Sequence, residues 1–165
     1  MDADINRLIS ILSNEREVYQ DIRNLSTKKT DLIIHHKIEE LDKLVRAEQS
    51  LIMLAGNWAQ KREKCLEELA ETQGVQVDEI TMTWLLGKVD HSQKVQLQSI
   101  RDKLDETLTG QKRLNQLNEK LIVTNLEYIE LALSHIIIKE PFSQFYEQDG
   151  IMNTKGKARL LDQKA

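Results

Sequence analysis

Pro141 is the only proline in the 165-residue chain, and upstream of it glycines stand singly at 56, 74, 87 and 110. A segment of that length with so few chain breakers suits long helices. A compact β domain needs turn residues and β-branched or aromatic strands in quantity. Aromatic residues are only 4% of this chain. A doubly wound α/β domain would also need more punctuation, so an all-α chain is expected.

The apolar spacing agrees. Over residues 3–34, Ile5, Leu8, Ile9, Leu12, Tyr19, Ile22 and Leu25 fall mostly three or four apart, the repeat of one helix face. Asn6, Arg7, Glu15, Arg16, Asp21 and Arg23 fill the opposite face. A break is expected between Asp31 and Lys37, with no glycine or proline to mark it. Residues 37–73 repeat the pattern through Ile38, Leu41, Leu44, Leu51, Ala55, Trp58, Leu66 and Leu69. Glu39, Glu40 and Asp42 suit the positive end of that helix, and Gly74 suits its C-cap. In the connection 74–88, Asp78 reads as the N-cap of a short helix through Trp84-Leu85-Leu86, ending near Gly87 and closing the end of a core.

A third long helix is expected over residues 90–139, with Leu97, Ile100, Leu104, Leu108, Leu121, Ile129, Leu133 and Ile136 on its stripe and Pro141 beyond its end. Gln111, Asn115 and Asn118 place amides on or near that stripe. Polar residues in a helical seam cost stability and fix register and partner number. Three long helices with short connections predict an elongated antiparallel bundle over residues 1–140, followed by a partner-binding tail over 141–165. The tail carries Phe142, Phe145 and Tyr146, then Lys155, Lys157 and Arg159, and is too short to bury a core of its own.

Several function classes lose support. The formal net charge of −4 lacks the basic surplus of a nucleic-acid binder. No apolar run approaches the roughly 20 residues of a membrane span, and Met1-Asp2-Ala3-Asp4 does not open like a signal peptide. The expected location is the cytoplasm. Cys65 is the single cysteine, set among Glu63, Lys64, Glu67 and Glu68, which does not favour a reactive thiolate. His35 and His36 are adjacent, and no His-x-x-x-His or Glu-x-x-His spacing places metal ligands on one helix face. The isolated glycines form no phosphate loop. Neither catalysis, a cofactor, a metal nor a small-molecule ligand is expected. What remains is interaction: the apolar stripe exceeds what three helices can bury and is open to a client helix or a second copy.

The chain resembles the FlgN-type flagellar export chaperones. The resemblance rests on Lys-Ile-Glu-Glu-Leu-Asp-Lys-Leu (37–44), Lys-Arg-Glu-Lys-Cys-Leu-Glu-Glu-Leu-Ala (61–70), and above all Leu114-Asn115-Gln116-Leu117-Asn118-Glu119-Lys120-Leu121-Ile122. Beyond the proline, Tyr146-Glu147-Gln148-Asp149-Gly150 is similar to the family's Tyr-x-x-x-Gly element. Trp84, in the short connecting helix, departs from the pattern. The resemblance implies a cytoplasmic type III secretion chaperone that binds the C-terminal helical region of hook–filament junction proteins, of FlgK and FlgL type. It prevents their premature assembly and delivers them to the export gate. It implies client contact through Asn115, Asn118, Leu121, Ile122, Leu126, Ile129, Leu133 and Ile137, and docking at the cytoplasmic domain of the gate through Tyr146 and Gly150. The competing reading is a helical adaptor or structural protein that self-associates through the same stripe and has no part in secretion.

Overall fold

The computed structural model describes residues 1–138, with side chains described through residue 135. Every regular element among them is helical: α1 (Asp2–Ile34), α2 (Ile38–Gln73), a 3-10 turn (Val77–Glu79), α3 (Met82–Leu86) and α4 (His91–Ile138). The tail 141–165, with Tyr146 and Gly150, lies outside the described residues, as does the side chain of Ile137. The chain divides into two compact units, Met1–Tyr128 and Ile129–Ala165.

Both long-helix ends before α3 close with the same pair of backbone bonds. After α1, the Lys37 amide donates to the Leu32 carbonyl and the His36 amide to Ile33. After α2, Val75 donates to Ala70 and Gly74 to Glu71. This six-to-one plus five-to-two pattern needs a left-handed residue just past the helix. Gly74 supplies it at φ 67° without strain, whereas His36 adopts φ 53° with a Cβ in the way. The α1 break therefore falls where the sequence predicts it, coded by a histidine instead of a glycine.

The connection differs from expectation. Asp78 caps no continuous helix. It sits in the 3-10 turn, and α3 begins afresh at Met82, capped by Thr81, whose hydroxyl accepts from the Trp84 amide at 3.2 Å. α4 opens with a reciprocal box: the Gln93 amide donates to Asp90 Oδ1 at 2.7 Å and the Asp90 amide to Gln93 Oε1 at 3.4 Å.

Within the first unit, side-chain pairs fix the helix directions. Arg7–Glu68, Glu15–Arg62 and Lys29–Glu48 run α2 antiparallel to α1. Asn6–Gln93, Gln20–Thr107 and Ser26–Gln111 run α4 parallel to α1. Ile5, Leu8, Ile9 and Ile11 of α1 pack with Cys65, Leu69 and Ala70 of α2, Ile80, Leu85 of α3 and Leu97 of α4, with Trp84 against them. Leu8 and Leu69 are essentially fully buried, which contributes about 1.5–3 kcal/mol for each side chain. A second cluster, Val18, Ile22 and Ala55 with Tyr19, Leu51 and Trp58, continues along α1 and α2. Glu15, expected on the polar face, is instead buried at 4% exposure. Arg62 Nε holds its carboxylate at 3.0 Å, which makes the burial tolerable.

Candidate partner-binding site

Past Ile22 the packing of α1 changes character. Ser26 is fully buried and joins all three long helices. Its hydroxyl donates to Glu48 Oε1 of α2 at 3.2 Å and accepts from Gln111 Nε2 of α4 at 2.7 Å. Its carbonyl accepts from Asn118 Nδ2 at 3.0 Å. Asn118 Oδ1 in turn accepts from the Thr30 hydroxyl at 2.7 Å. One heptad further, Asn125 Nδ2 donates to the Ile33 carbonyl at 3.3 Å. Lys29 pairs with the second oxygen of Glu48, so that buried carboxylate is fully engaged.

The α4 side of this seam is thus an amide ladder, Gln111, Asn118 and Asn125, spaced seven apart. The same heptad position holds Leu97 and Leu104 earlier in α4. Gln111 Oε1 is buried without a hydrogen-bond partner among the described residues. Leaving such an acceptor unmade costs on the order of 1–3 kcal/mol.

Because amides fill the seam, apolar residues on α4 remain outside it. Leu108, Leu117, Ile122, Val123 and Leu126 are all exposed, Leu126 at 60%. On α2, Ile52, Met53 and Leu54 are exposed as well. Between these helices lies an open groove of about 530 Å³. Tyr19 and Ile22 of α1, Ile52 of α2, and Leu108, Ile122 and Val123 of α4 supply its apolar lining. Lys29, Glu48, Gln111, Asn115, Asn118 and Glu119 supply the polar part. Such a surface can hold one apolar helix face without any catalytic group.

The residues singled out from the sequence separate into distinct places. In the first unit, Ile122 and Leu126 are exposed and Leu121 is half-buried. Asn115 is exposed, its Oδ1 accepting from Gln111 Nε2 at 3.0 Å. Asn118 is 4% exposed, with both ends of its amide bonded to α1. In the second unit, Ile129 and Leu133 are exposed. The sequence reading missed Ser26, Thr30 and Asn125 as parts of the polar seam. The seven-residue spacing of Asn125 from Asn118 was the signal available for it.

Other chemistry is sparse. Cys65 is buried at 1% exposure, and burial pushes its thiol above the ordinary value of 9.0; Arg7 opposes that rise and Glu68 and Asp4 add to it. Among the described residues, no group of three His, Cys, Asp or Glu side chains could hold a metal ion, and no helix is long and apolar enough to cross a membrane.

Comparison with known families matches residues 1–154 to the family described as FlgN protein. No curated protein and no solved structure gives a match.

Proposed function

The chain belongs to the FlgN family, and on that premise we propose that it is a flagellar export chaperone for hook–filament junction proteins of FlgK and FlgL type. It holds the C-terminal helical region of a client in the cytoplasm, prevents its premature assembly and presents it to the export gate. α1, α2 and α4 act as one antiparallel bundle in this reading, and the protein works by binding, not catalysis.

The observation that carries the reading is the exposed apolar surface of α4 beside the amide ladder. A helix that turns amides inward and leaves leucine and isoleucine outside is poorly suited to a chain that works alone. An amphipathic client helix with anchors at i, i+3, i+4 and i+7 would cover Ile122 and Leu126, while half-buried Leu121, on the other side of Asn118, would support the helix beneath them. Ile129, Leu133 and Ile137 extend the proposed contact. Asn115 stands at its polar edge. Tyr146 and Gly150 are proposed to dock at the cytoplasmic domain of the export gate.

The test is calorimetric titration against the C-terminal helical segments of junction proteins from the same organism. A 1:1 complex of micromolar affinity or tighter, with a negative heat-capacity change, is expected. Absence of binding to every junction protein, together with a stable homodimer, would replace this reading with that of a self-associating adaptor. Tyr146→Ala is expected to abolish gate docking while leaving client titration unchanged.

A further inference from the structure

The apolar surface of α4 is wider than the seam it presents to α1. At 3.6 residues per turn, Leu108, Ile122 and Leu126 lie roughly 40° to 80° to one side of Asn118. Leu114 and Leu121 lie roughly 40° to 60° to the other side. Leu114 and Leu121 are half-buried, whereas Leu108, Ile122 and Leu126 are exposed. On burial of apolar area alone, a turn of α4 about its axis that brought Ile122 and Leu126 against α1 would be favourable. It does not occur, and the residues standing in the seam in their place are amides.

We infer that Gln111, Asn118 and Asn125 form a rotational lock: positioning residues whose bonds to Ser26, Thr30 and Ile33 hold the Leu108–Ile122–Leu126 flank of α4 out of the seam with α1, with Leu108 and Ile122 along the open groove and Leu126 exposed. Each bond is directional. Asn118 uses its amide as donor to the Ser26 carbonyl and as acceptor from Thr30, which only one orientation of α4 satisfies. Gln111 reaches the Ser26 hydroxyl while its own Oε1 goes unpartnered among the described residues, a loss that leucine at this position would avoid. Asn125 repeats the contact one heptad on. Three polar residues at one heptad position, following two leucines at the same position, trade seam stability for a single orientation. Gly110 stands where the seam changes from apolar to amide, its Cα passing against the Arg23 guanidinium, so a Cβ there would meet Arg23 at 2.8 Å. The lock rests on the capture reading only for what the exposed flank is for.

The test reads the orientation of α4 without any partner. A Leu126→Cys reporter is labelled with a maleimide in the full chain, and the rate at position 126 is followed by peptide mass, with buried Cys65 as internal standard. In the native seam the reporter should react near the rate of a free thiol. In Gln111→Leu/Asn118→Leu/Asn125→Leu it should slow at least tenfold, with the thermal midpoint unchanged or raised. Restoring Asn118 alone should recover the fast rate. Asn118→Leu as a single change carries the same test if the triple variant does not fold. An unchanged rate at position 126 in the leucine variants overturns the lock. So does a lowered midpoint with labelling at 126 and Cys65 rising together, which is loss of packing only. Labelling takes no client, so failure of the lock and failure of client capture are read separately.

Discussion

Asn118 donates its side-chain amide to the main-chain carbonyl of Ser26 at 3.0 Å, joining residues 92 apart in the chain. Ser26 is where this bond meets those from Gln111 and Glu48, so its hydroxyl is the smallest group on which three helices converge. Ser26→Ala keeps the carbonyl and removes the hydroxyl. Gln111 Nε2 and Glu48 Oε1 then each lose a buried partner. A loss of about 1–2 kcal/mol in urea unfolding is expected. Asn14→Ala, which ends only a local bond to the Ser10 carbonyl, should change stability by less than about 0.5 kcal/mol.

The two helix ends that share one capping pattern should respond oppositely to exchange of their left-handed residues. His36→Gly removes the Cβ from φ 53° and should stabilise by up to about 1 kcal/mol. Gly74→Ala puts a Cβ at φ 67° and should destabilise by about 1–2 kcal/mol, although nothing lies within 4 Å of that Cβ. Thermal midpoints of the two variants against the native chain decide it.

Exposed apolar residues such as Ile122 and Leu126 contribute little to the stability of the free chain. Ile122→Asp and Leu126→Asp should leave the unfolding free energy within about 0.5 kcal/mol of the native value. Both should weaken capture of a junction-protein helix at least tenfold, about 1.4 kcal/mol. Calorimetry and thermal melts of the same preparations read the two effects. Equal affinity in both variants would remove this flank from the client site.

Cys65 sets a pH dependence with a definite sign. Burial raises its folded pKa above 9.0, so the folded thiol holds its proton more tightly than the unfolded one. Below the unfolded pKa both forms are protonated and this contribution is fully present. As pH rises past about 9, the unfolded chain ionises first and stability is lost until the folded thiol also ionises. The native chain should therefore lose more stability between pH 8 and pH 10 than Cys65→Ser, measured by urea unfolding of both.

Much of the fold was legible because helix periodicity and missing chain breakers are properties of the sequence alone. The limits of α1 and α2, the Gly74 cap and the burial of Leu85 all follow from spacing and residue type. The His36 turn was legible in place and not in cause, since a left-handed histidine carries no composition signal. Thr81 escaped because Asp78, three residues earlier, offers an equally good cap. Glu15 was assigned to water because a carboxylate usually belongs there; Arg62, 47 residues away, reverses that, and only the packing of α2 brings it close. For the candidate site, the amide-bearing stripe of α4 was readable. Which amides face α1 was not, because Gln111, Asn115 and Asn118 share a stripe and only the rotation of α4 separates Asn115 from the others. Ile122 and Leu126 could not be told from core residues by sequence, since core and partner surfaces use the same side chains.

The larger apolar cluster of the first unit gathers where α1 begins, α2 ends and α4 begins, and the smaller one reaches mid-helix at Ile22 and Ala55, while the polar seam occupies the stretch from Ser26 to Ile33. Hydrogen bonds between amides exchange readily with water, whereas separating Leu8, Leu69 and Leu97 opens oily surface. Partial opening of the molecule should therefore start from Asn125 and halt near Thr107, leaving the other end folded. A chain built this way can yield at one end and close again without passing through its unfolded state. In the proposed capture role, the amide-bearing end would be the part that loosens around a client, and the leucine-rich end the part that stays folded.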